Sequence, residues 1–197
     1  FFLLSLAIQV AGQKKIVVDP RGKGDHRTIQ GAINALADSS ATSRVIYIKK
    51  GVYHEKIYIE KGNIVFEGED RDATIIIASV ARDEWRCNHT DDWGVATVNV
   101  GASDISFENL TITNNFGFDY TERTIYCAND TSAKKSVTLR KNGHQMALRT
   151  MNMATRMKAV NCRFRSFGGD TVSPWETVNG MWYFKDCVME GGVDFYC

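Results

Sequence analysis

Short apolar-rich runs of three to five residues recur along most of this chain. The runs are Lys15 to Asp19, Val45 to Ile48, Ile57 to Ile59, Ile64 to Phe66, Thr74 to Ile77, Ala96 to Val100, Ile105 to Phe107 and Leu110 to Ile112. Each is bounded by Gly, Asn or Asp, and runs of this kind predict short strands. One segment has a helical period instead: Thr28, Ile29, Ala32, Ile33 and Leu36 fall on one face, with Asp25 or Thr28 placed to cap the first turn.

Many short strands suit a sandwich, a barrel or a solenoid, and internal repetition separates these. FENLTIT (Phe107 to Thr113), AVNCRFR (Ala159 to Arg165) and FKDCVME (Phe184 to Glu190) share one apolar-polar scheme. Asn161 and Asp186 stand 25 positions apart, and Asn109 and Asn161 stand 52 apart. A repeat of about 25 residues is a solenoid signature. The 52 is either two coils or one coil carrying an insertion, for which the polar stretch Phe118 to Asn142 is a candidate. The fold expected is all-β, a single-stranded parallel β-helix, with the early helix capping one open end where strand edges would otherwise lie unpaired.

With 197 residues and 44% hydrophobic composition, one core and one domain are expected over residues 13–197. Residues 1–12, FFLLSLAIQVAG, read as the later part of a secretory signal peptide or else as a buried strand, and are too short to span a bilayer. The signal reading implies a secreted protein, extracellular or periplasmic. Lys plus Arg number 24 against 23 Asp plus Glu, so no charge field announces nucleic acid or a membrane as partner. Export permits disulfides among Cys87, Cys127, Cys162, Cys187 and Cys197, an odd set. Cys162 and Cys187 are 25 apart and should stack as a disulfide or a thiol pair. The sequons at Asn88, Asn109 and Asn129 matter only in a source that glycosylates them.

In a β-helix, positions one coil apart become neighbours about 4.8 Å apart. Gln145, Asp170 and Asp194 are spaced by 25 and 24, which stacks an amide and two carboxylates in three successive coils. Such a pair can divide labour between a proton donor and a nucleophile or base, with the amide facing a developing oxyanion. The alternative is that GGD and GGVD are plain turns and Gln145 a surface residue.

DPRGKGDHRTIQGAI, VIYIKKGVYHEKIYI, FEGEDRDATII, ISFENLTITNNFG, GHQMALR, FRSFGGDT and GGVDF together resemble the pectin methylesterase family in its bacterial form, in family order along the whole chain after residue 12. The resemblance implies a right-handed parallel β-helix, pectin as partner and removal of methyl esters from galacturonate with release of methanol. It implies Asp194 as nucleophile, Asp170 as general acid and base, and Gln145 as oxyanion stabiliser, with no cofactor and no metal. His26, His54, His89 and His144 lack ligand spacing, and His144 reads as a packing or hydrogen-bonding residue. Thr171, Trp175 and Phe195 are candidate substrate contacts, although Trp175 could equally shield the core, and Trp85 and Trp93 are open in the same way. A monomer is expected.

Three departures stand out. Gly169 occupies the position of the family's second glutamine, the polar stretch before Gly143 is long, and the later Leu-Gly-Arg-Pro-Trp motif has no counterpart before Cys197, which suggests a missing C-terminal part. Two other readings remain: a pectin-cleaving glycosidase, and a non-catalytic polysaccharide-binding β-helix.

Overall fold

The computed structural model describes residues 15–127, 136–151, 154–176 and 178–197. The expected signal segment and the Asn129 sequon lie outside them. The chain enters through β1 (Ile16–Val18) and α1 (Ile29–Ala35), then winds through successive three-strand coils. The first is β2 (Arg44–Ile48), β3 (Gly51–His54) and β4 (Ile57–Ile59). The second is β5 (Ile64–Gly68), β6 (Thr74–Ala78), a short helix α2 (Arg82–Arg86) and β7 (Ala96–Val100). The third is β8 (Ile105–Glu108), β9 (Thr111–Asn114), a hairpin of β10 (Arg123–Tyr126) and β11 (Ser136–Leu139), and β12 (Met146–Thr150). The fourth is β13 (Met157–Val160), β14 (Arg163–Arg165) and β15 (Asp170–Ser173), and the fifth is β16 (Trp182–Lys185), β17 (Val188–Glu190) and β18 (Asp194–Tyr196).

Equivalent strands stack into three parallel sheets: β1-β2-β5-β8-β13-β16, β3-β6-β9-β14-β17 and β4-β7-β12-β15-β18. The fold is the expected right-handed parallel β-helix. The register also resolves the 52-residue spacing, because Phe107 pairs directly with Ala159. It is one coil with an insertion. The β10–β11 hairpin, antiparallel and outside the stack, is that insertion, and the sequence pattern did not distinguish it from loop.

Stacking turns each inward position into a ladder. Ile46, Phe66, Phe107, Ala159 and Phe184 follow one another in the first sheet, and the Phe66 and Phe107 rings stack with centroids 5.2 Å apart. Ile57, Val98, Leu148 and Val172 form the ladder of the third sheet. The small Ala159 between two phenylalanines lets the large rings interdigitate, as close packing demands. α1 closes the N-terminal end by burying Ile29, Ala32 and Ile33 in this core. Thr28 is its cap, accepting from the Gly31 N–H, whereas Asp25 accepts from Val17 N–H.

In the third, fourth and fifth coils the turn between first and second sheets carries one left-handed residue, Asn109 (φ 54°), Asn161 (φ 51°) and Asp186 (φ 54°). Asn and Asp tolerate this conformation because their short side chains bond locally. Asn161 Nδ2 donates to Asn109 Oδ1 at 2.9 Å and Arg71 donates to Asn161 Oδ1 at 3.3 Å, so the turn is itself a polar ladder.

Cys162 and Cys187 are stacked as expected, as two free thiols, while Cys87 and Cys127 form a disulfide that spacing did not suggest. It ties α2 to the hairpin.

Asn161→Ala combines left-handed strain with two lost hydrogen bonds and is expected to cost about 2–3 kcal/mol in urea unfolding, whereas Asn161→Gly, free of the strain, is expected to cost about 1 kcal/mol less.

Candidate functional site

The two large insertions leave the coil at one corner, the passage from the second sheet to the third. Residues 79–95, carrying α2, emerge there in the second coil, and residues 115–145, carrying the hairpin, emerge there in the third. In the fourth and fifth coils the same corner is a short glycine turn, Gly168 and Gly169, then Gly191 and Gly192. The strands that follow open with Asp170 and Asp194.

The two aspartates are direct register partners in adjacent parallel strands. Backbone bonds fix the corner: Gln145 N–H donates to Gly168 O at 3.3 Å and Asp194 N–H to Gly169 O at 3.1 Å. Asp170 is 6% exposed and Asp194 is open to solvent. Among the described residues, neither carboxylate has a hydrogen-bonding or ion-pair partner, so both remain available for chemistry. Gln145 is one coil below and one residue out of step, since Leu148 pairs with Val172.

Gln145 is fully buried and its amide is engaged at both ends. Oε1 accepts from Gly117 N–H at 2.8 Å, and Nε2 donates to Lys141 O at 2.7 Å and Gly143 O at 3.3 Å. The glutamine pins the two ends of the hairpin insertion to the corner. It is not the surface residue that the plain-turn alternative supposed.

Gly169 has φ +60°, and a Cβ placed on it would lie 2.7 Å from the His144 Cα. A side chain at this position would meet backbone, which accounts physically for glycine there. His144 itself is exposed, and its carbonyl accepts from Arg82 N–H at 2.9 Å.

Trp175 is half-exposed, with the Arg149 guanidinium 4.9 Å from its ring centroid, so it presents surface rather than shielding the core. Phe195 is also half-exposed. Thr171 is a correction: it is fully buried and its hydroxyl donates to Glu190 O at 3.3 Å, so it is not open to a ligand. Trp85 is stacked on His89 at 3.5 Å and covered by Lys56 at 4.0 Å, and Trp93 lies 5.5 Å from Tyr58, which makes both parts of the wall. Burial in that wall pushes the Lys56 ammonium down to about 8, against the opposing pull of Glu84.

Sequence reasoning missed Arg149 and Asp92. Arg149 lies on the outward ladder of the third sheet with Tyr58, Asn99 and Ser173, although it is nearly buried. Burial lowers its pKa, and the charges of Asp92 and Asp170 oppose that loss. Asp92 accepts from Arg82, Arg86 and Arg149. Burial alone would raise its pKa, but the Arg82 and Arg86 hydrogen bonds prevail and hold it at about 2. The arginine at the end of GHQMALR was the only available signal.

The pectinesterase family model matches residues 15–152. The chain is 30% identical over 186 residues to putative pectinesterase 11 of Arabidopsis thaliana, covering 92% of this chain and 42% of that protein. It is 34% identical over 103 residues to pectinesterase A of Dickeya chrysanthemi, covering 50% and 28%. A pectin methylesterase solved in complex with a hexasaccharide superposes with a TM-score of 0.61 at 26% identity, over 81% of this chain and 45% of that one. The chain thus spans half or less of the length of these relatives. With the family model matching most of the chain and the fold in agreement, the chain belongs to the pectinesterase family.

Proposed function

We propose that this protein hydrolyses the methyl esters of galacturonate units in pectin and releases methanol. The observation that carries the reading is the pairing of Asp170 with Asp194 across adjacent strands in a chain of this family. Their environments differ in the way two roles require. Asp194 is open to a polymer and serves as nucleophile on the ester carbonyl, while Asp170 is sheltered and serves as the proton donor. Attack forms a tetrahedral intermediate, Asp170 protonates departing methanol, and the same residue then takes a proton from the water that hydrolyses the acyl-enzyme, restoring Asp194.

Gln145 donates to the oxyanion in this scheme. Of its two donor bonds the longer, to Gly143 O, is the one the oxyanion replaces. Trp175 and Phe195 provide aromatic surface for sugar rings, consistent with the hexasaccharide bound by a structural relative. Action on pectin entails a protein working outside the cytoplasm, and an extracellular or periplasmic location is part of this proposal.

The adjacency of the carboxylates disfavours an inverting glycosidase. Neighbouring strands are about 4.8 Å apart, whereas an inverting pair needs roughly 6.5–9.5 Å to admit water.

Asp194→Ala, in protein expressed from its complete reading frame, is expected to reduce methanol release from highly methylated pectin about a thousandfold or more. Asp170→Asn is expected to reduce it by about 10²–10⁴. Undiminished release by Asp194→Ala would remove the nucleophile, and a new reducing end in place of methanol would favour the glycosidase. Gly169→Gln, which restores the family's second glutamine, is expected to lower stability by about 1–3 kcal/mol without raising methanol release, as read by urea unfolding alongside the assay.

A further inference from the structure

The arginine that ends GHQMALR has its edge and its face engaged by different parts of the molecule. Arg149 lies on the outward ladder of the third sheet with only 4% of its side chain exposed. Along its edge, Nη2 donates to Asp92 Oδ2 at 3.3 Å, Nε to Met151 Sδ at 3.1 Å and Nη1 to Met146 Sδ at 3.6 Å. None of these donors turns to its register partner Ser173, whose buried hydroxyl has no hydrogen-bond partner among the described residues. The flat face is left for Trp175, whose ring centroid is 4.9 Å from the guanidinium carbon.

Asp92 is already held by Arg82 and Arg86 in forked pairs, so a third, buried cation is not needed to fix the wall. What Arg149 adds is control of the ring. Trp175 follows Pro174 and stands two residues past the end of β15, where no strand fixes it. Its backbone N–H donates to Thr150 Oγ1 at 2.8 Å, so the adjacent residues Arg149 and Thr150 hold its ring and its backbone together. Trp175 nonetheless stays 55% exposed. A lysine could not replace the arginine here, because a point charge has no planar face to stack while its edge is bound. The same arginine feels the charge of Asp170, five residues before Trp175 in the adjoining strand.

We propose that Arg149 is a positioning residue, which fixes the Trp175 ring as a stacking platform for a sugar of the methyl-esterified galacturonan remote from the ester being cleaved. The proposal rests on the esterase reading for its ligand and extends it to a residue that, among the described residues, hydrogen-bonds to neither catalytic carboxylate. At about 3.3 Å per residue the ring stands on the order of 15 Å along the strand from Asp170. Arg149 therefore governs binding of the polymer and not the chemical step.

The test is a double-mutant cycle on Arg149 and Trp175. In methanol release from highly methylated pectin, Trp175→Ala and Arg149→Met are each expected to raise KM about tenfold and to change kcat by less than about twofold. The double variant is expected to be no worse than Trp175→Ala alone. Arg149→Met leaves Asp92 paired with Arg82 and Arg86, so it orphans no buried charge, and urea unfolding checks the fold. Thr150→Val removes the acceptor of the Trp175 N–H and is expected to raise KM in the same non-additive way, which carries the test if Arg149→Met fails to fold. Effects that multiply in the cycle, a fall in kcat in place of a rise in KM, or an unchanged KM overturn the positioning role and leave the esterase reading intact. Calorimetry with methyl-esterified hexagalacturonate, run on the same variants in an Asp194→Ala background, needs no catalysis. The same non-additive weakening there supports the role even if no methanol is released. Absent binding, or binding indifferent to Trp175→Ala, overturns it.

Discussion

Everything in this molecule depends on the parallel register between successive coils. A strand that must hydrogen-bond to its equivalents above and below at about 4.8 Å has no freedom to change its length or phase, so inward positions become ladders of stacked apolar groups. Ile57, Val98, Leu148 and Val172 are one such ladder, and the outward positions between them are another, Tyr58, Asn99, Arg149 and Ser173. Insertions can only leave the stack at corners. Both large ones leave at the passage from the second sheet to the third, where Asp170 and Asp194 also stand. The register therefore places the wall and the carboxylates on the same side of the helix.

This explains which features were legible in the sequence. The ladder positions repeat, so the 25-residue offset between Asn161 and Asp186 revealed the solenoid, while the left-handed turn that those residues occupy emerged only in the structure. An offset of 24, one coil, likewise brings Asp170 and Asp194 together. Insertions obey no period, and there the reading ended. The 52-residue spacing admitted two interpretations, and neither α2, the β10–β11 hairpin nor the Cys87–Cys127 disulfide joining them had a repeating signal. Thr171 was misplaced for a related reason. It adjoins Asp170 in sequence, but it is fully buried and its hydroxyl is engaged by Glu190 O of the next coil, a contact without a sequence signal.

Gln145 and Gly169 show how tightly chemistry and folding share this corner. A buried amide must have its hydrogen bonds met, and Gln145 meets them by bracing Gly117, Lys141 and Gly143. An oxyanion bound in place of the Gly143 carbonyl would exchange one acceptor for a charged one, so substrate binding and the position of the hairpin wall are coupled through this side chain. At Gly169 the close approach of the His144 backbone removes the room for a second amide. A single donor side chain then has to serve the intermediate unless the exposed backbone of the corner contributes.

The wall supplies what the sheet alone lacks. On a flat outward ladder Arg149 would be a solvated surface cation. Under Trp175 and against Asp92 it is desolvated, and its charge reaches Asp170 through a medium in which charges act more strongly than in water. Asp92 bears the cost of that burial. Because its folded-state pKa is depressed, its stabilising contribution is complete above the ordinary carboxylate value of 3.8 and is lost as pH falls through about 2. The link between wall and sheet is thus secure at any pH above the carboxylate range.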